Sequence, residues 1–177
     1  MTTPEEPNSA DATMNETTTD TESEELTGLN DAKTDEHEHE NEDEPLTDAI
    51  TRALTLKEEG NAHFKSGEYN RAVRSYRRGA SALKNHDTTE DQVKALLLSL
   101  QTNLSLVCLK QGKAAMSRDV ATKALELDEK HVKALYRRGV AHRSLGDYAA
   151  ANKDLRAAYR IDPDNREVKR ELVALKK

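Results

Sequence analysis

Aromatic residues are scarce in this 177-residue chain: it has no tryptophan, one phenylalanine and five tyrosines. All six, Phe64, Tyr69, Tyr76, Tyr136, Tyr148 and Tyr159, lie beyond residue 45. Charge is divided as unevenly. Residues 1–45 hold 16 acidic residues and one lysine, Lys33, a balance of −15; residues 46–177 hold 17 acidic and 26 basic residues, a balance of +9, which together give the net −6. Without an apolar payload to offset chain entropy, residues 1–45 are expected to be a disordered acidic tail and residues 46–177 the folded domain. The single cysteine, Cys108, excludes an intramolecular disulfide and fits a reducing compartment. No uninterrupted apolar run nears the roughly 18 residues of a membrane span, none being longer than Ala95–Leu98. The opening MTTPEEPN is acidic where a signal peptide needs a basic region. These absences point to a cytoplasmic protein, with nuclear access left open and no membrane partner.

The tail offers little chemistry. His37-Glu38-His39-Glu40 pairs imidazoles with carboxylates, but no further ligands converge, so no metal site is assigned and the segment reads as low-complexity and solvated. Thr19 and Thr21 each have a glutamate three residues downstream, as acidophilic kinase sites do and as any acidic tail will. Residues 36–44, EHEHENEDE, are tethered to a basic domain and could compete with an acidic ligand there. The plainer reading, a tail that confers solubility without contact, is preferred.

Self-similarity organises the rest. In residues 131–165, Leu135, Gly139, Ala151, Leu155 and Pro163 fall at the offsets of the pattern W-x2-L-G-x2-Y…A-x3-F…P, whose period is about 34 residues. Gly146-Asp147 divides the stretch into two amphipathic helices; Gly139 and Ala151 let them approach, and Pro163 ends the second. Leu135 stands where the pattern has Trp, and His142 where it has Tyr. A first repeat, about 53–86, places Leu56, Gly60, His63, Ala72 and Tyr76 in register, with a turn at Gly67-Glu68 and a helix start capped by Thr47 or Asp48. A middle repeat, about 98–131, places Leu104, Ser105, Cys108, Ser117, Ala121 and Leu127, with a turn at Gly112-Lys113. Gly60 and Gly139 lie 79 residues apart, 11 more than two periods of about 34, and the polar loop Asn85–Thr89 with an extended helix from Asp91 absorbs the excess. Asp164 to Lys177 sets Val168, Leu172 and Leu175 on one face, the spacing of a capping helix. The chain thus resembles the tetratricopeptide repeat family. That resemblance implies an all-α fold of three helical hairpins and a C-terminal cap, wound into a right-handed superhelix with the first helix of each hairpin lining a groove.

Five polar residues fall on those first helices. Lys57 and Asn61 are four apart in the first repeat, Asn103 stands in the second, and Lys133 and Arg137 are again four apart in the third. The set Lys-x3-Asn, Asn, Lys-x3-Arg resembles the carboxylate clamp of tetratricopeptide co-chaperones, and all five places match. The flanking text, Lys57–Asn61, Asn103–Leu106 and Lys133–Gly139, is similar to the immunophilin branch. Lysine brings a point charge with three donors, asparagine a neutral donor of fixed geometry, and arginine a planar fork, a set suited to two carboxylates. The resemblance implies that Lys57, Asn61 and Asn103 hold a peptide's terminal carboxylate, and that Lys133 and Arg137 meet the side chain of a C-terminal aspartate. The implied ligand is the Glu-Glu-Val-Asp tail of heat-shock protein 90 or heat-shock protein 70. Phe64, one turn past Asn61, is either a wall for the apolar residue before that aspartate or core.

Other functions fit less well. Immunophilins carry an isomerase domain ahead of such repeats, but residues 1–45 have no capacity to fold into one, and Cys108 has neither base nor acid at a useful spacing; no enzyme and no cofactor are expected. Nucleic acid is an unsuitable partner, because Arg74, Arg77 and Arg78 are not interleaved with aromatics. The expected chain is a monomeric adaptor. The alternative is a scaffold that recognises a different acidic or C-terminal peptide.

Overall fold

In the computed structural model, which describes residues 44–176, the amphipathic stretches form seven helices. They are α1 (Leu46–Lys65), α2 (Tyr69–Ala82), α3 (Asp91–Lys110), α4 (Ala114–Leu127), α5 (Val132–Ser144), α6 (Tyr148–Ile161) and α7 (Arg166–Ala174). The acidic tail lies outside the described residues except for Glu44 and Pro45, and with it the expectations placed on Thr19, Thr21 and residues 36–43. Three hairpins, α1–α2, α3–α4 and α5–α6, are followed by α7, as the repeat spacing requires.

Each hairpin turns by the same device. Gly67, Gly112 and Gly146 take φ of 76°, 72° and 82°, a left-handed conformation that costs glycine nothing. The residue after each donates its N–H to a carbonyl five back: Glu68 to His63, Lys113 to Cys108 and Asp147 to His142, all at 2.9 Å. Those bonds close the first helix and reverse the chain in three residues. The start of α1 departs from expectation. Thr47 and Asp48 lie inside the first turn and do not cap it; Pro45 is the cap residue, at φ −58°, and its carbonyl accepts from Asp48 and Ala49. Proline lacks the N–H that the first turn would leave unpaired, so its placement costs no hydrogen bond.

Small residues set how closely the paired helices lie. A Cβ on Gly139 would sit 2.8 Å from Leu155 Cγ and 3.4 Å from the Ala151 carbonyl oxygen. In the middle hairpin the equivalent place belongs to Ser105, whose hydroxyl is 2.8 Å from that of Ser117, both fully buried. Inner helices touch along the series, α1 with α3 and α3 with α5, whereas α2, α4 and α6 make no comparable mutual contact. That difference in spacing curves the array and puts α1, α3 and α5 on its concave side.

Two apolar clusters fill the layer between. The first runs from Ala49 and Ile50 through Tyr76, Leu83, Leu100 and Leu104 to Val107, Cys108 and Val120; the second joins Ala124, Leu125, Ala134, Leu135, Ala158 and Val168. By average composition rather than unbroken run, α3 is long and apolar enough to cross a membrane, but Val93, Leu96, Leu97, Leu100, Leu104, Val107 and Cys108 are buried within the domain. It is the core helix. Cys108 is fully buried, and that burial raises its thiol above the usual range.

Side chains cap three later helices: His131 over α5, Asp147 over α6 and Asn165 over α7. Imidazole caps only while neutral, since Nδ1 must accept from the Ala134 N–H, at 3.3 Å. Burial holds His131 below its ordinary 6.5; Lys133 and Arg137 push the same way and Asp128 opposes them.

Two outcomes are expected. Gly139→Ala should destabilise the domain by about 1–2 kcal/mol in urea unfolding, because the clash with Leu155 outweighs the gain in helix propensity. A depressed folded pKa gives His131 a stabilising effect that is present above 6.5 and lost as pH falls through the lower folded value. The urea midpoint should therefore drop as pH is lowered from about 7 through that folded value, and His131→Asn, which caps without titrating, should flatten that drop.

Candidate functional site

The concave wall brings together residues from three repeats. Asn61 leaves the inner side of α1, and its Oδ1 accepts from Asn103 Nδ2 on α3 at 3.2 Å. The Tyr76 hydroxyl donates to the same Oδ1 at 2.7 Å from α2 behind. Arg137 on α5 donates through Nη1 to the carbonyl oxygen of Thr102, the residue before Asn103. Three of the five expected side chains are thus joined into one hydrogen-bonded patch across α1, α3 and α5. They come from positions 42 and 34 residues apart in the chain.

Lys57 and Lys133 stand one helical turn before Asn61 and Arg137 on the same faces. Lys57 is half-buried and Lys133 exposed, and neither makes a hydrogen bond or ion pair among the described residues. Arg137 is more enclosed. Burial lowers its guanidinium pKa, with Glu167, Tyr136 and Tyr76 pulling the other way; the group stays cationic at neutral pH. A charge already stripped of much of its water gives a strong contact to an arriving anion.

Arg137 owes its direction to its neighbour. Arg138, about 100° further round α5, forms a two-point ion pair with Asp154 of α6, Nε to Oδ2 at 2.7 Å and Nη2 to Oδ1 at 2.8 Å. Asp154 is 4% exposed, so this pair fixes the rotation of α5 against its partner and turns residues 133 and 137 the other way. Sequence reasoning missed Asp154, Thr102 and Tyr76 as parts of the site. Tyr76 carried a signal, a hydroxyl on an otherwise apolar position facing Gly60; Thr102 acts through its main chain, which no residue type reveals.

Phe64 is half-buried. One side packs on the first apolar cluster, and its ring lies 5.8 Å from that of Tyr69 at 44°. Core contact and a partly free edge therefore coexist at this position. Among the described residues, cavities elsewhere include one of about 330 Å³ on α6 between Lys153, Arg156, Tyr159 and Arg160, and one of about 400 Å³ near Gly67, Arg74 and Gln111. The polar patch itself extends across three successive inner helices, a breadth that suits an extended chain.

Known proteins align with this geometry. Residues 103–166 match the family model described as tetratricopeptide repeat. Peptidyl-prolyl cis-trans isomerase FKBP4 of Bos taurus is 32% identical over 128 residues, which cover 70% of this chain and 28% of that protein. The chain thus spans little more than a quarter of that relative. The first TPR domain of Spaghetti (RPAP3), solved bound to the HSP90 peptide SRMEEVD, is 30% identical with a TM-score of 0.63, covering 72% of this chain and 92% of that one. The second TPR domain of human RPAP3, solved in complex with the HSP70 peptide SGPTIEEVD, is 31% identical with the same TM-score, covering 73% of this chain and 98% of that one. Repeat spacing, three hairpins with a capping helix, and likeness over nearly the whole of such domains agree: this chain belongs to the tetratricopeptide repeat family.

Proposed function

We propose that the concave wall is a two-carboxylate clamp for the C-terminal Glu-Glu-Val-Asp tail of heat-shock protein 90 or heat-shock protein 70, and that the chain is a chaperone-binding adaptor rather than an enzyme. The observation that carries this reading is the patch joining Asn61, Asn103 and Arg137 across three repeats, flanked by Lys57 and Lys133. Each member offers N–H donors, and the cations are spaced by neutral amides that limit their mutual repulsion. A C-terminal aspartate presents two carboxylates on a single residue, and such a row of donors is complementary to it. Lys57, Asn61 and Asn103 take the terminal carboxylate; Lys133 and Arg137 take the aspartate side chain; the free edge of Phe64 borders the valine. The peptides carried by the two RPAP3 domains have this ending. A buried thiol at Cys108, raised in pKa, is poorly suited to be a nucleophile, and a reducing cytoplasm suits it.

Fluorescence titration with an acetylated Glu-Glu-Val-Asp peptide should give a Kd near ~1 μM, about −8 kcal/mol. Affinity should fall as salt is raised beyond ~0.1 M, where screening reaches about 10 Å. Lys133→Glu should weaken binding by at least about 2 kcal/mol, roughly thirtyfold, with unchanged helical circular dichroism. Amidating the peptide's C-terminus should cost a comparable amount. Undiminished binding of the amide would point instead to a groove that reads acidic side chains alone.

A further inference from the structure

The inner wall of the first repeat is built from behind. Tyr76 belongs to the outer helix α2 and is 2% exposed, yet its hydroxyl reaches the inner face to meet Asn61. Its path exists because Gly60 has no side chain: a Cβ there would lie 2.5, 2.7 and 2.9 Å from three atoms of the Tyr76 ring. In the third hairpin the same packing place opposite Gly139 is filled by Leu155, which has no polar atom. Close helix packing does not require a hydroxyl at this position. The repeat that carries Asn61 has one.

The hydroxyl acts on the planar amide of Asn61. Tyr76 and Asn103 both donate to its Oδ1, which satisfies both lone pairs. Nδ2, at the other end of the amide, has no partner among the described residues and is not among the buried polar atoms lacking one, so it faces solvent. With the amide turned over, its oxygen would confront the ligand's carboxylate and repel it. Burial raises the Tyr76 pKa, with Arg137 and Asn103 opposing, so the phenol keeps its proton and remains a donor at neutral pH.

We propose that Tyr76 is a positioning residue of the clamp, holding Asn61 so that its two N–H groups face an incoming terminal carboxylate. This rests on the clamp reading above and adds a requirement to it: selectivity for a free C-terminus depends on a side chain that never touches the peptide.

The test compares the full chain with its Tyr76→Phe variant, which keeps the ring and removes only the hydroxyl, against the free-acid and C-terminally amidated Glu-Glu-Val-Asp peptides. The free-acid preference should shrink by roughly five- to tenfold in the variant, through weaker binding of the acid and little change for the amide. In nitrogen-15 spectra the Asn61 side-chain amide pair, identified by its loss in Asn61→Asp, should shift between the two proteins. If the wild type discriminates and the variant discriminates equally, Tyr76 has no positioning role and the clamp stands. If the wild type itself ignores amidation, the clamp reading falls and the role falls with it. Should Tyr76→Phe fail to fold, the wild-type Tyr76 hydroxyl proton is read instead: a slowly exchanging resonance coupled to the Asn61 and Asn103 amides supports the proposal, and rapid exchange with water overturns it.

Discussion

Two helices of a hairpin can lie no closer than the side chains at their crossing permit, and this limit governs the molecule. Gly60 receives the ring of Tyr76, Gly139 receives Leu155, and Ser105 meets Ser117 through paired hydroxyls. In the first and third hairpins the inner helix contributes the small partner, and in the second both partners are small. Each outer helix therefore sinks against its mate, the inner helices come into mutual contact, and their remaining faces form one continuous wall. Bulk at any of these crossings would push the layers apart and spread the polar groups that the wall collects.

Much of this was legible in the sequence because it depends on local rules. The turn glycines, the period of about 34 residues and the apolar faces each follow from a few neighbouring positions. The five polar residues were legible for a different reason: a repeat frame converts distance along the chain into adjacency, so Asn61, Asn103 and Arg137 could be brought together on paper. What escaped was anything set by direction rather than type. Spacing from Lys133 singled out Arg137, but nothing in the letters showed that its neighbour Arg138 would be held by Asp154 of α6. The Thr102 carbonyl that meets Arg137 exists at every residue, and only the packing of α5 on α3 selects it. At the start of α1 the Pro45 carbonyl, rather than a side chain of Thr47 or Asp48, accepts from the first turn, and a main-chain acceptor leaves no mark in residue type.

The wall's electrostatics arise from the same packing. Residues 46–177 carry a surplus of nine positive charges, but a diffuse surplus selects no ligand. Selectivity needs donors whose positions are settled before the ligand arrives, so that binding does not bear the cost of ordering them. Asn61 and Asn103 are held by each other and by Tyr76, and Arg137 by a main-chain carbonyl, whereas the two lysines make no such contact. The arrangement combines a settled centre with flexible charged flanks.

The division of the core into two clusters has a mechanical meaning. Lys57, Asn61 and Asn103 stand on helices rooted in the first, Lys133 and Arg137 on a helix rooted in the second. Arrays of this kind open block by block, so the last hairpin can fray while the first two persist, taking the cationic half of the wall with it. A peptide gripped by both halves spans that seam like a strap. At a hundred times its Kd it would add about 2.7 kcal/mol against such fraying, so under the proposed clamp a bound tail would also keep the far end of the solenoid closed.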